Sequence, residues 1–272
     1  MNPRSPDTLY GIIGHPLGHS LSPLLHNWGF ELLNLDGVYL AWPLEPEKLP
    51  DFLTAARTLP IRGVSVTIPH KQAVLPLLDR VSGRARKVGA VNTLYWDGKD
   101  LCGENTDVPG FLAPLRGRTF AEALVLGAGG AARAVLAGLA ELGVPRVRLT
   151  NRTAARAREL AAEFGAEAIP WEERAAEGAD LVINAGPLGM RGEHEGETPL
   201  TRERFSGRGL AYDLVYNPLR TRFLAEAEAA GWETRDGLSM FVEQGRAQFR
   251  LWTGRELPAD GAREVLRAAL GV

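Results

Sequence analysis

Polar residues able to do acid–base chemistry, or to hold a small anion, fall in four short stretches of the first 110 positions. "GHPLGHSLSPLLHN" contributes Ser20 and Ser22, "SVTIPHK" contributes Thr67 and Lys71, "GAVNT" contributes Asn92, and "GENTDVPG" contributes Asp107. Hydroxyls, an amide, an ammonium and a carboxylate together suit a small ligand that carries hydroxyl groups and one carboxylate. Lys71 stands out by type, because the chain has four lysines against 27 arginines, all four of them before residue 100. A nearby ammonium can donate a proton or stabilise a developing alkoxide, whereas a guanidinium holds its proton too tightly to act as an acid.

A second kind of chemistry is written in "LVLGAGGAARA", Leu124 to Ala134. An apolar run leads into Gly127, Gly129 and Gly130 and then into a helical stretch of small residues, with Ala132 where a third glycine commonly stands in a dinucleotide fingerprint. Glycines here permit a tight turn and close backbone approach, and the helix start offers unpaired N–H groups to a pyrophosphate. The next apolar run, "RVRLTNRT", ends 24 residues after Gly127 on Asn151, Arg152 and Thr153, with Arg156 following. An NAD site would normally present Asp or Glu at this point for the ribose 2′-hydroxyl. Two guanidiniums and a hydroxyl suit a 2′-phosphate instead, which favours NADP.

The elements that must position these residues can be read from the pattern. "LYGIIGH", "GVYLAWPL" and "RGVSVTI" read as strands. Between them lie "SPLLHNWGFELLN", a helix for which Ser22 suits the N-cap and Pro23 the first position, and "PEKLPDFLTAART", a helix that Pro50 interrupts or offsets. "AVNTLYW" and "DLCGENT" flank Asp97-Gly98, a dipeptide suited to a hairpin turn. From about residue 120 strands and helices alternate regularly, the pattern of a doubly wound parallel sheet. "SMFVEQGRAQFRLWTG" and "DGAREVLRAALG" follow that sheet and either cap it or return to the first domain. The expected architecture is a two-domain α/β chain: a substrate domain over 1–105, a dinucleotide-binding domain over 106–237, and helices over 238–272 that complete the first.

Composition narrows the classes. A chain of 272 residues, 45% hydrophobic and 24% charged, can bury a substantial core, and a net charge of −2 provides no field to draw in nucleic acid or anionic lipid. No run of signal-peptide or membrane-spanning type is present, so a soluble cytoplasmic protein is expected. Cys102 is the only cysteine, which excludes an internal disulfide and a thiolate metal cluster. As a lone Cys in a hairpin it reads as a packing residue. His15, His19 and His26 share no helical face, because Pro16, Gly18 and Pro23 intervene, and no metal site is expected.

In order and spacing these stretches resemble the shikimate dehydrogenase family. "HSLSP", "VTIPHK", "GAVNT", "NTD", the glycine loop, "NRT", "NAGPLGM", "DLVYNP" and "EQGRAQF" together span nearly the whole chain. The resemblance implies NADPH-dependent reduction of 3-dehydroshikimate to shikimate, in a cleft between a substrate domain and a Rossmann domain. It implies that Lys71 and Asp107 are the catalytic pair beside the reacting oxygen, with either as the primary acid or base. Ser20 and Ser22 match residues that hold the substrate carboxylate, with Tyr216 near that end, and Thr67, Asn92 and Gln244 match further substrate contacts. Gly127, Ala128, Gly129, Gly130, Ala131, Ala132, Asn151, Arg152, Thr153 and Arg156 match the NADP(H) site, and Gly237 lies where the family's backbone meets the nicotinamide.

Two positions depart from the family. Ser65, counted with the substrate contacts, stands where many members have Asn, and Gly186 replaces a common Thr or Ser. A quinate/shikimate dehydrogenase that prefers NAD is the nearest alternative, against which Arg152 and Arg156 argue. A catalytically silent dinucleotide-binding regulator is another, against which Lys71 and Asp107 argue. The enzyme is expected to act as a monomer or homodimer.

Overall fold

A computed structural model describes residues 6–18 and 20–272. The chain divides into two compact units, one of residues 1–106 and 244–272, the other of residues 107–243. The sequence reading sets these breaks at 105/106 and 237/238.

The first unit opens with β1 (Leu9–Gly14), α1 (Ser22–Leu32), β2 (Val38–Pro43), α2 (Leu49–Ala56) and β3 (Ile61–Val66). It continues with α3 (His70–Ala73), β4 (Arg80–Val81), α4 (Gly83–Val88), β5 (Thr93–Asp97) and β6 (Asp100–Glu104). Its six-stranded sheet has the order β2-β1-β3-β5-β6-β4. β1, β2 and β3 run parallel, the products of helical crossovers, whereas β5 is antiparallel to both β3 and β6. β5 and β6 turn tightly at Gly98, whose φ of +63 is one that a glycine adopts without strain. Ile13, Val64, Val66, Val74, Val91 and Leu94 are buried together at the centre of this unit.

One local expectation changes and one is settled between its two alternatives. Ser22 is the first residue of α1 rather than its cap; Leu21 is at the N-cap without a side-chain bond, and Pro23 is in the first turn. The Ser22 side chain is instead drawn inward, and the residue is buried. Pro50 offsets the helix rather than interrupting it. It lies in the first turn of α2, where a missing N–H costs nothing, and a short 3₁₀ turn, Pro46–Lys48, precedes it.

The second unit runs through α5 (Asp107–Leu112), β7 (Glu122–Leu126), α6 (Gly130–Leu142), β8 (Arg146–Thr150), α7 (Ala154–Phe164) and β9 (Glu167–Ala168). β10 (Leu181–Asn184), β11 (Leu210–Asp213), α8 (Arg222–Ala229) and β12 (Glu233–Arg235) complete it. All its strand pairs are parallel, in the order β12-β11-β10-β7-β8-β9. That is two mononucleotide-binding halves meeting where β7 lies beside β10, the point at which a Rossmann sheet binds its dinucleotide. β7 is buried along its whole length, and the two faces of the sheet carry separate apolar clusters, one with Val125, Leu139 and Ile183, the other with Leu124, Val182 and Phe223.

The chain closes with α9 (Leu238–Thr253) and α10 (Ala259–Leu270), which packs on α1. From Gln244 onward α9 belongs to the first unit. Trp252 explains the attachment: its indole donates to Leu94 O at 2.9 Å, and it lies so close over Gly63 that any Cβ there would clash with the ring.

Candidate active site

In the first unit, Lys71 is carried by a single helical turn, an element with little stability of its own. Its neighbours supply what it lacks. His70 is buried and its Nε2 donates to Leu44 O at 2.8 Å, while Val91 N donates to Lys71 O at 2.8 Å. Immediately upstream, Thr67 N donates to Ile13 O and His15 N to Ile68 O, both at 2.9 Å. The segment from Thr67 to Lys71 is therefore fastened to β1, to the end of β2 and to the strand-side loop that holds Asn92. Thr67 and Lys71 are half-buried, as a residue that meets a ligand must be.

Asn92 is buried just before β5. Its Oδ1 accepts from Thr106 N at 2.7 Å and from Thr93 Oγ1 at 2.8 Å, and its Nδ2 donates to Thr106 Oγ1 at 2.9 Å. Ser20 is half-buried, and its Oγ accepts from Ser22 N at 3.3 Å. Gln244 is also half-buried, near the middle of α9. Ser65 faces the interior: its Oγ accepts from Tyr39 Oη at 2.6 Å and donates to Gln248 Oε1 at 2.9 Å. The hydroxyl that the sequence assigns to substrate is thus engaged by two residues the sequence does not single out. The one hint is the spacing of Gln248, four residues after Gln244 and so on the same helical face.

His26 is fully buried among rings, stacked on Tyr39 at 4.5 Å between centroids. Burial pushes its imidazole down to about 3, so it is neutral at physiological pH. His19 lies outside the described residues. Among the described residues no cluster of three His, Cys, Asp or Glu side chains is arranged to hold a metal ion. Cys102 is buried in β6.

In the second unit, Asp107 is the first residue of α5 and is 7% exposed. The glycine loop follows β7. Gly127 has φ +114, donates to Thr150 O at 2.8 Å, and passes so close to the β10 end that a Cβ would lie 2.9 Å from Gly186 N. At Gly129 and Gly130 a Cβ would meet nothing within 4 Å, so these two border open space at the start of α6. That combination, one glycine squeezed and two facing outward at a helix N-terminus, fits a pyrophosphate. Ala128 and Ala131 flank them and are half-buried.

Asn151 serves the loop itself, with its Oδ1 accepting from Ala128 N at 3.3 Å and its Nδ2 donating to Thr153 O at 3.1 Å. Arg152, Thr153 and Arg156 are exposed beyond it, at the entry to α7. Gly237 is buried where a Cβ would strike Leu214 O and Val215 O, and Tyr216 packs on Phe241 with ring centroids 4.6 Å apart.

One buried constellation in this unit goes unmarked in the sequence reading. Asp213, at the end of β11, accepts from Asn184 Nδ2 at 2.9 Å, from Val215 N at 2.9 Å and from Thr221 Oγ1 at 2.5 Å. Asn184 at the end of β10 also donates to Leu188 O and accepts from Gly186 N. The two side chains tie together the loops that leave adjacent strand ends. Burial, opposed by these donors, pushes the Asp213 carboxyl up to about 7.

Comparison with known proteins shows what the chain is similar to. Residues 12–94 match the model of the shikimate dehydrogenase substrate binding domain, residues 115–186 that of shikimate / quinate 5-dehydrogenase, and residues 237–267 that of the shikimate 5'-dehydrogenase C-terminal domain. A shikimate dehydrogenase (NADP(+)) of Oleidesulfovibrio alaskensis is 60% identical over 272 residues, 98% of each chain. The shikimate 5-dehydrogenase of Thermus thermophilus, solved with NADP(H) and shikimate, superposes with a TM-score of 0.88 at 45% identity, covering 96% of this chain and 99% of that one. A quinate dehydrogenase of Corynebacterium glutamicum, solved with NAD, has a TM-score of 0.88 at 32% identity, covering 96% and 99%. Both solved structures share this fold, and of the three proteins the identity is higher with the two shikimate enzymes.

Proposed function

This chain belongs to the shikimate dehydrogenase family, and we propose that Lys71 and Asp107 handle the proton of its reaction. The reaction is the reversible NADPH-dependent reduction of 3-dehydroshikimate to shikimate, a step in the biosynthesis of aromatic amino acids. NADPH supplies the hydride.

The remaining work falls to the chain. Ser20 and Ser22 hold the substrate carboxylate with Tyr216 near that end, and Thr67, Asn92 and Gln244 orient the ring hydroxyls. Lys71 donates a proton to the carbonyl oxygen as charge builds on it, or stabilises the alkoxide, and Asp107 takes part in the proton exchange and orients a substrate hydroxyl. Ser65 acts at one remove, through the residues that share its hydroxyl.

On the cofactor side Gly127 to Ala132 take the pyrophosphate, Arg152, Thr153 and Arg156 the 2′-phosphate, and Gly237 lets the backbone approach the nicotinamide. Asn151 shapes the loop that receives them. A cytoplasmic setting is consistent with Cys102, a single thiol with no partner cysteine in the chain.

The observation that carries this reading is the fastening of Lys71: a lone helical turn is held from both sides by hydrogen bonds to its own backbone and to His70. Such support is what a group needs if its ammonium must meet one substrate oxygen in one geometry. The test is Lys71→Ala and Asp107→Asn, assayed by absorbance at 340 nm with shikimate and NADP. Each should lower kcat by about 10²- to 10⁴-fold with little change in melting temperature. A folded Lys71→Ala protein of undiminished turnover would remove the assignment.

A further inference from the structure

Asn184 and Asp213 end neighbouring strands, β10 and β11, and each is 0% exposed. Burying an amide and a carboxyl costs stability that apolar residues at the same two strand ends would not. What the pair returns is a set of bonds to loop backbone. Both hydrogens of Asn184 Nδ2 are committed, to Asp213 Oδ1 at 2.9 Å and to Leu188 O at 3.0 Å, and its Oδ1 accepts from Gly186 N at 3.1 Å. Turned over, the amide would set oxygen against oxygen and N–H against N–H, so one orientation alone serves. Asp213 Oδ1 also accepts from Val215 N at 2.9 Å. Its Oδ2 accepts from Thr221 Oγ1, which caps α8 by accepting from Leu224 N at 3.3 Å.

Each bonded loop leads to a glycine of the proposed cofactor site. Gly186 N is the atom that a Cβ on Gly127 would meet at 2.9 Å, and Ala185 N donates to Leu126 O at 2.9 Å, just ahead of the glycine loop. On the other side Val215 O accepts from Gly237 N at 3.2 Å. One carboxyl oxygen thus stands between the seat of the glycine loop and the stretch read as meeting the nicotinamide. All of these residues lie in the second unit. The pair belongs to the half of its sheet away from β8, the strand that Arg152 and Arg156 follow.

We propose that Asp213 is a positioning residue for the nicotinamide half of the cofactor, its Oδ1 holding the loops after β10 and β11 at a fixed spacing through Asn184 and Val215. Loops set in advance spare the ordering cost that binding would otherwise carry. Both bonds end on Oδ1, so an amide oxygen at this position can keep them, and Asp213→Asn is the conservative variant. The inference rests on the reading of Gly127 and Gly237 as cofactor contacts, and the experiment separates the two.

Isothermal titration calorimetry is run with NADP and with adenosine 2′,5′-bisphosphate, which has the 2′-phosphate and one phosphate of the pyrophosphate but no nicotinamide. Asp213→Ala and Asn184→Ala should each raise Kd for NADP roughly 10-fold, while Kd for the bisphosphate stays within about twofold. Asp213→Asn should bind NADP within about threefold of wild type, because Oδ1 is retained. Asn184→Ala cuts only the arm to Gly186, so it carries both comparisons if Asp213→Ala does not fold. If Gly127→Ala weakens NADP while Asp213→Ala and Asn184→Ala do not, the positioning role is refuted and the cofactor reading stands. No effect of any of the three would overturn the reading and the inference together. Equal losses for the two ligands would make the pair merely structural, and Asp213→Asn as weak as Asp213→Ala would mean that the Oδ1 bonds are not what counts. Either result overturns the inference.

Discussion

Asn92 and Thr106 grip each other through backbone and side chain at once: Thr106 N donates to Asn92 Oδ1 at 2.7 Å, and Asn92 Nδ2 donates to Thr106 Oγ1 at 2.9 Å. Both residues are 2% exposed. The pair closes the ends of β5 and β6 and fixes the chain one residue before Asp107. Asn92→Ala would leave the Thr106 N–H buried and unpaired, at a cost of about 1–3 kcal/mol. Thr106→Val keeps that N–H bond and removes only the hydroxyl, so it should cost less. Urea unfolding of the two variants checks the order.

Gly127 makes a sharper prediction because its neighbours are backbone. With φ at +114 and Gly186 N 2.9 Å from where a Cβ would sit, Gly127→Ala must displace either the glycine loop or the β10 end. Strain of this kind is worth about 1–3 kcal/mol. KM for NADP should rise roughly tenfold or more, with KM for shikimate little affected. Equal shifts in both constants would show that the loop has no particular bearing on the cofactor.

In the proposed site the choice between cofactors falls to Arg152 and Arg156, which are exposed at the entry to α7 where an acidic residue would favour NAD. Replacing both with Ala removes charge-assisted contacts worth about 1.5–3 kcal/mol each. KM for NADP should climb by roughly 10²-fold or more while KM for NAD stays within about twofold. Parallel assays with the two cofactors at 340 nm measure this directly. An NAD constant that rose equally would mean the arginines act on something other than the 2′-phosphate.

Local features of this chain are legible in its sequence, and contacts between distant segments are not. The shape of the glycine loop was legible because it is local: a strand, three glycines and a helix are contiguous, and φ and close approach depend on residue type. The alternation of strands and helices after residue 120 was legible for the same reason. Ser65 was not, because its partners Tyr39 and Gln248 lie 26 and 183 residues away. Nothing in "GVSVTIPHK" tells an inward hydroxyl from one that faces a ligand. Ser22 shows the same limit, since its place after a loop suits a helix cap whereas in the fold it is the buried first residue of α1. Asn184 and Asp213 fall in stretches noted for their resemblance, yet their pairing across adjacent strands exists only once β10 and β11 lie side by side.

Asp213 supplies a pH dependence whose sign can be worked out. Its carboxyl is fully buried, and burial raises it from an ordinary value of 3.8 to about 7 despite donors from Asn184, Val215 and Thr221. Between those two values the folded protein holds the proton more tightly than the unfolded chain does. Stability from this group is therefore full below pH about 4 and falls as pH rises toward 7, above which both states are ionised. Asp213→Asn removes the ionisation, and its Oδ1 still accepts from Val215 N. Urea midpoints taken for both proteins at intervals from pH 4 to pH 8 isolate the effect, since all other groups titrate in common. The wild-type midpoint should decline relative to that of the variant up to about pH 7 and run parallel above it. A difference that stays constant across the range would mean the carboxyl is ionised throughout, held by its three donors against the cost of burial.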